Sequence, residues 1–103
     1  MAAKMHIKLI NRGEEGEVLL AGRLDSSTAP EVEEILLQLA DRFDKVILNM
    51  AQLEYISSAG LRIIKLLYMA LRKKEGELEM KSANKLVMEV FEMTGFASLL
   101  TFV

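Results

Sequence analysis

Apolar and polar side chains alternate from Met5 to Arg12, and the apolar signal resumes from Glu17 to Ala21 after the turn-forming stretch Gly13-Glu14-Glu15-Gly16. A period of two sends successive side chains to opposite faces of an extended chain, so this pattern predicts two strands joined as a hairpin. Gly22 closes the second strand, and Arg23-Leu24-Asp25-Ser26-Ser27 follows as a polar connection. Thr28-Ala29-Pro30-Glu31 fits an S/T-x-x-E capping box, with the only proline of the chain in the first helical turn, where its missing N–H costs little. The period then changes. Val32, Ile35, Leu36, Leu39 and Ala40 recur at helical spacing while Glu33, Glu34, Gln38 and Asp41 take the other face, which predicts a helix ending near Arg42.

Lys45 to Met50, KVILNM, is a short apolar run of the kind expected for a strand buried on both faces. After Tyr55-Ile56 the turn Ser57-Ser58-Ala59-Gly60 leads into a helical pattern from Leu61 to about Lys73. Arg62, Lys65, Met69 and Arg72 share one side of that helix and Leu61, Ile64, Leu67, Tyr68 and Leu71 the opposite side, so it buries a wide stripe and shows water a basic strip. Lys74-Glu75-Gly76 stops it, and Glu77 to Lys81 alternates as a strand does. Asn84 is the cap of a further helix carrying Leu86, Val87, Val90 and Phe91, Gly95 supplies its left-handed stop, and Leu99 to Val103 is a candidate closing strand. The order ββαβαβα, with that final short strand, predicts an α/β fold in which one mixed sheet carries packed helices, in a single domain spanning 1–103.

Composition narrows the chemistry. With 103 residues, 51% of them apolar, the chain is the size of one domain with its own core. Thirteen basic against fifteen acidic residues leave a charge of -2, and no segment gathers enough Lys and Arg to form an electrostatic footprint for DNA or RNA, which argues against nucleic acid. The absence of cysteine removes disulfides, thiolate zinc sites and thiol catalysis, and suits a reducing compartment, so a cytoplasmic location is expected. Arg62, Lys65, Arg72, Lys73 and Lys74 interrupt the longest apolar candidate well short of the roughly 20 residues that span a bilayer. The N-terminal MAAKMHIKLINRGEEG has an apolar stretch broken by Lys8 and too short for a signal peptide, so neither membrane insertion nor export is expected.

Most catalytic constellations fail on residue type. A nucleophile elbow needs G-x-S-x-G, and Ile56 stands where Ser58 would require glycine. The sole histidine, His6, lies in the predicted first strand, and neither phosphate-loop fingerprint is present. Glu31, Glu33 and Glu34 complement the dipole of their helix start. One histidine, no cysteine and no carboxylate spacing motif imply no metal and no cofactor. The seven methionines read as gap-filling core, Met69 on the basic strip excepted. What remains is the serine turn. Serine at a helix start is commonly a cap contributing on the order of 1 kcal/mol. It is also a place where a phosphate would meet free N–H groups, and residue type and spacing leave both readings open.

The segment Val46 to Leu71, VILNMAQLEYISSAGLRIIKLLYMAL, resembles the centre of the STAS domain of bacterial anti-sigma factor antagonists, in which an apolar strand and a D/S-S-x-G-L turn lead into a helix. Gly22-Arg23-Leu24-Asp25 with Ser26-Ser27-Thr28-Ala29 resembles the G-x-L-D loop of that family, and Phe91-Glu92-Met93-Thr94-Gly95-Phe96 its F-x-x-[ST]-G helix end. These motifs stand in the family's order from Met5 to Val103. The resemblance implies a non-enzymatic regulator with Ser58 as phosphoacceptor and Ser57 as the second candidate. Gly60 and Leu61 complete the turn, and because the turn and the basic strip of the following helix can face one partner, the expected partner surface is Asp25, Ser26, Ser57, Ser58, Gly60, Leu61, Arg62 and Lys65. Many phosphorylated members carry Asp where this chain has Ser57, which removes a charge beside the acceptor and adds a hydroxyl. The implied partners are an anti-sigma factor serine kinase, bound in the unphosphorylated state so that a sigma factor is freed, and a serine phosphatase. Rival readings are a STAS scaffold or transport-regulating module, and a serine enzyme.

Overall fold

The computed structural model describes residues 5–103, so what the sequence suggests for Met1 to Lys4 lies outside the described residues. The elements are β1 (His6–Asn11), β2 (Glu15–Leu24), α1 (Ala29–Arg42), β3 (Lys45–Ile56), α2 (Ser58–Lys73), β4 (Glu77–Lys81), α3 (Lys85–Met93), a 3-10 turn (Phe96–Leu99) and β5 (Thr101–Phe102). They form one five-stranded sheet in the order β1-β2-β3-β4-β5. β1 pairs antiparallel with β2, and every other neighbouring pair is parallel. The expected mixed sheet, element order and closing strand are all present.

The crossovers through α1, α2 and α3 each step to the next strand in one direction. Right-handed connections of that kind put all the helices on one face of the sheet. Burial follows: Val18, Leu20, Val46, Leu48, Met50 and Met80 meet Val32, Leu36, Ile64, Leu67, Val87 and Phe91 in one continuous core. Phe91 seals its far end, with its ring centroid 5.5 Å from that of Phe102 and 6.1 Å from that of Phe96. Asn84 caps α3 as expected, its Oδ1 accepting from the Val87 N–H at 2.8 Å, and Gly95 takes the left-handed conformation (φ 76°) that stops it.

Among the described residues the opposite face carries no helix, which corrects the expectation that KVILNM is buried on both sides. Val46, Leu48 and Met50 point to the helices, while Lys45, Ile47 and Asn49 point away into a ladder of charge. Lys45 Nζ lies 3.1 Å from Glu79 and 3.5 Å from Glu15, on the two flanking strands. Ile47 is still only 8% exposed, because it stands between Glu17 and Glu79 in the register, beside the stem of Lys45.

Glu17 is 3% exposed. Its carboxylate accepts from Asn49 Nδ2 at 2.9 Å and from the Arg12 guanidinium, and Lys81 Nζ is 3.7 Å away. The hydrogen bonds from Asn49 and then Arg12, aided by the charges of Lys81 and Arg12, hold its pKa below the ordinary value against the opposing effect of burial.

Both long strands exceed their expected lengths. β2 begins at Glu15 and runs to Leu24, and β3 continues to Ile56 through the exposed Ala51, Gln52 and Glu54. Beyond Asn49 the pairing is irregular: the β2–β3 register shifts between Leu19 and Ala21 and again between Gly22 and Arg23. Each shift inserts a residue into β3 and flips the phase of its side chains, so the inward positions run Met50, Leu53, Ile56 and the period of two disappears.

Candidate functional site

β2 and β3 are parallel neighbours, so their carboxyl ends and the starts of α1 and α2 emerge side by side on one edge of the sheet. Two connections and two helix N-termini therefore meet at that edge. The Ser57 N–H donates to the Leu24 carbonyl at 2.9 Å and ties the two connections together.

The β2–α1 connection is organised by Asp25 rather than by the expected capping box. Thr28 is helical in backbone conformation and its side chain does not cap α1. Its buried hydroxyl instead donates to the Arg23 carbonyl at 2.9 Å and accepts from the Asp25 N–H at 3.0 Å. Asp25 Oδ1 accepts from the Ser27 hydroxyl at 2.7 Å, from the Ser27 N–H at 3.0 Å and from the Thr28 N–H at 3.3 Å. Its pKa is lowered chiefly by the Ser27 hydroxyl, then by the backbone N–H of the same residue. The local competition of an Asx turn has won over helix capping. Ser26 stands exposed at the tip of this turn.

At the β3–α2 junction the two serines have different duties. Ser57 is the N-cap, extended in backbone, with its hydroxyl accepting from the Gly60 N–H at a long 3.5 Å. Ser58 is the first residue of α2 and is exposed. Capping falls to Ser57 and leaves the Ser58 hydroxyl free of that role, at the positive end of a 16-residue helix whose first turn holds no acidic residue. Gly60 lets the helix start approach the sheet: a Cβ there would lie 2.7 Å from Leu24 Cγ and 2.8 Å from Ile56 Cγ1.

The sequence-derived division of α2 holds. Arg62, Lys65, Met69 and Arg72 are exposed, and Leu61, Ile64, Leu67 and Leu71 are buried with Tyr68 half-buried. Among the expected partner-surface residues, Asp25, Ser26, Ser57 and Ser58 line one shallow hollow, while Ser58, Leu61, Arg62 and Lys65 line a second. Ser58 is the rim shared by both. Gly60 and Leu61 are buried, so they shape the surface from beneath and offer a visitor little area.

Several lining residues escaped the sequence reading. Arg23 stacks on Tyr55, with its guanidinium carbon 4.3 Å from the ring centroid, and both line the first hollow. Phe96 and Leu99 line the second. Arg23 and Tyr55 are opposite one another in the β2–β3 register beyond the second shift, a proximity no linear spacing reveals. Among the described residues, no cluster of three or more His, Cys, Asp or Glu is placed to hold a metal ion, and no helix is long and apolar enough to cross a membrane.

Fold and site define a class: a small α/β module with a mixed sheet, helices on one face, and an exposed helix-start hydroxyl at the carboxyl edge. The STAS domain model matches residues 9–103, and the chain belongs to the STAS domain family. It is 40% identical over 81 residues to a Bordetella bronchiseptica protein, BtrV, named as a candidate anti-sigma factor antagonist; the match covers 78% of this chain and 70% of that one. The fold is shared with an anti-sigma factor antagonist from Mycobacterium paratuberculosis, with a TM-score of 0.85, 20% identity, and 95% and 84% of the two chains covered. It is shared too with the Bacillus cell fate determinant SpoIIAA in its phosphorylated form, with a TM-score of 0.73, 16% identity, and 96% and 90% covered.

Proposed function

We propose that this chain is an anti-sigma factor antagonist: unmodified, it binds an anti-sigma factor serine kinase and so frees a sigma factor, and phosphorylation of Ser58 by that kinase releases it. A serine phosphatase would restore the binding form. The observation that carries this reading is the division of labour at the start of α2, where Ser57 caps the helix and Ser58 is exposed on the rim between two hollows. The relatedness to BtrV supports it from the side of sequence.

In the transfer, a bond forms between Ser58 Oγ and the γ-phosphorus of ATP as the bond to the departing ADP oxygen breaks, and the hydroxyl proton passes to a base of the kinase. The product carries roughly -1.5 to -2 charges at a helix N-terminus, where N–H groups and the dipole stabilise anions. The fold therefore accepts the phosphate. A partner pressed against the same rim does not, because it would face a desolvated and unmatched charge. Ser57 is the poorer acceptor on this geometry, since modifying its oxygen removes the cap.

Intact-mass measurement and peptide mapping after incubation with a candidate anti-sigma factor kinase and ATP test the assignment. One phosphate on Ser58, absent from Ser58→Ala and retained by Ser57→Ala, is expected. A phosphate mapped to Ser57 alone, or equal kinase affinity for Ser58→Asp and Ser58→Ala in a calorimetric titration, removes the switch.

A further inference from the structure

Between α2 and the Phe96–Leu99 turn runs an open groove of about 460 Å3 with Ser58 at its edge. Its floor is apolar, formed by the largely buried Leu61 and Phe96, and Leu99 stands 53% exposed among the lining residues. Its α2 wall is cationic, formed by the exposed Arg62 and Lys65, and among the described residues no carboxylate lines it. The acidic group that Arg62 approaches is Glu33, at 3.9 Å and with the Arg62 side chain 65% exposed, a contact too long and too wet to neutralise it. An apolar floor beside exposed, weakly paired positive charge is complementary to a segment that brings apolar side chains inward and carboxylates to the wall. Ser58, Arg62 and Lys65 stand at i, i+4 and i+7, along one stripe of α2. A phosphate on Ser58 would therefore compete for the very cations that the segment needs.

We propose that this groove is the docking site for an acidic amphipathic segment of a partner protein, and that phosphate on Ser58 closes it by occupying Arg62 and Lys65. The docking half stands on the groove alone; the closing half rests on the reading of Ser58 as phosphoacceptor. Arg62 and Lys65 thus do two things: they select the sign of the partner's charge, and they convert a local modification into loss of that partner.

The test uses the full chain and a fluorescein-labelled helical peptide of about 16 residues, with Leu at i, i+3, i+4 and i+7 and Glu on the other face. A peptide with Lys in place of Glu is the control. Fluorescence anisotropy should show binding of the Glu peptide alone, with amide shift changes in a 15N spectrum confined to α2 and residues 94–99. Arg62→Gln/Lys65→Gln should weaken it about fivefold, an effect that shrinks in high salt. Installing phosphoserine at position 58 by genetic encoding should weaken it at least as much. Equal binding of the Lys peptide, shift changes on the helix-free sheet face, or an unchanged affinity in the double variant overturns the docking site. Binding to anionic phospholipid vesicles without binding to the Glu peptide does the same by assigning the groove to a membrane surface. Unchanged affinity in the phosphoserine protein overturns the closing half. Failure of every kinase to modify Ser58 sinks the switch yet leaves the peptide titration as it was, so the two ideas fail separately.

Discussion

Glu17 and Ser58 are two polar positions on the same framework, wired in opposite ways. Glu17, on the helix-free face, is 3% exposed and matched by Asn49, Arg12 and Lys81 from three different segments. Ser58, at the carboxyl edge, is exposed, and the cations along its stripe, Arg62 and Lys65, have their charge turned outward. Polar groups that satisfy each other hold strands in register and have nothing left for a visitor. Groups left unmatched contribute little to folding and are available for recognition. The contrast separates what keeps this domain folded from what it presents.

The open site depends on close packing beneath it. Gly60→Val would drive new atoms into Leu24 and Ile56, and is expected to cost about 3 kcal/mol in urea denaturation, with the α2 start displaced from the sheet. An unchanged midpoint would mean that the helix start is not held as closely as described. Glu17→Ala comes next, at about 2 kcal/mol, because it abandons Arg12, Lys81 and Asn49; both cations are half exposed and relax into water, which keeps the loss below that of a fully buried pair.

The same carboxylate sets a pH signature. Folding lowers the Glu17 pKa from its ordinary 4.5, so its contribution is complete above that value and is lost as pH falls through the folded one. Wild type should therefore lose more stability than Glu17→Gln between about pH 5 and pH 3, and parallel curves would deny the carboxylate its role.

The smallest effects sharpen the contrast between the two serines. Ser57→Ala should cost about 1 kcal/mol by removing the α2 cap, and slightly less is acceptable given the long 3.5 Å contact. Ser58→Ala should change stability by less than about 0.5 kcal/mol and, on the proposed function, abolish phosphorylation. Equal destabilisation by both substitutions, measured by thermal melting, would erase the distinction between cap and acceptor.

The α2 stripe was legible because a helix winds with one fixed period: Leu61, Ile64, Leu67 and Leu71 at that spacing are buried and Arg62, Lys65 and Arg72 are exposed. The turns at Asn84 and Gly95 were legible because each needs a particular side chain or backbone freedom. The second half of β3 was not, since its bulges flip the phase at Ala51 and Glu54 and leave no alternation to detect. Thr28 misled because its motif is local, whereas the Arg23 carbonyl that captures its hydroxyl comes from the strand before. KVILNM looked buried on both faces because Ile47 is apolar, and only the flanking strands reveal that charged stems cover it.

Read alone, then, the chain determined its elements, the helix-facing core and the serine turn, for these depend on side-chain period and on backbone demands that act within a few residues. Tertiary structure decided the rest: which serine caps and which stands free, the matching of Glu17 with Asn49 across 32 positions, and the groove that joins α2 to the Phe96–Leu99 turn. Those depend on strand register and on which surfaces the crossovers bring together, and no interaction between neighbouring residues encodes either.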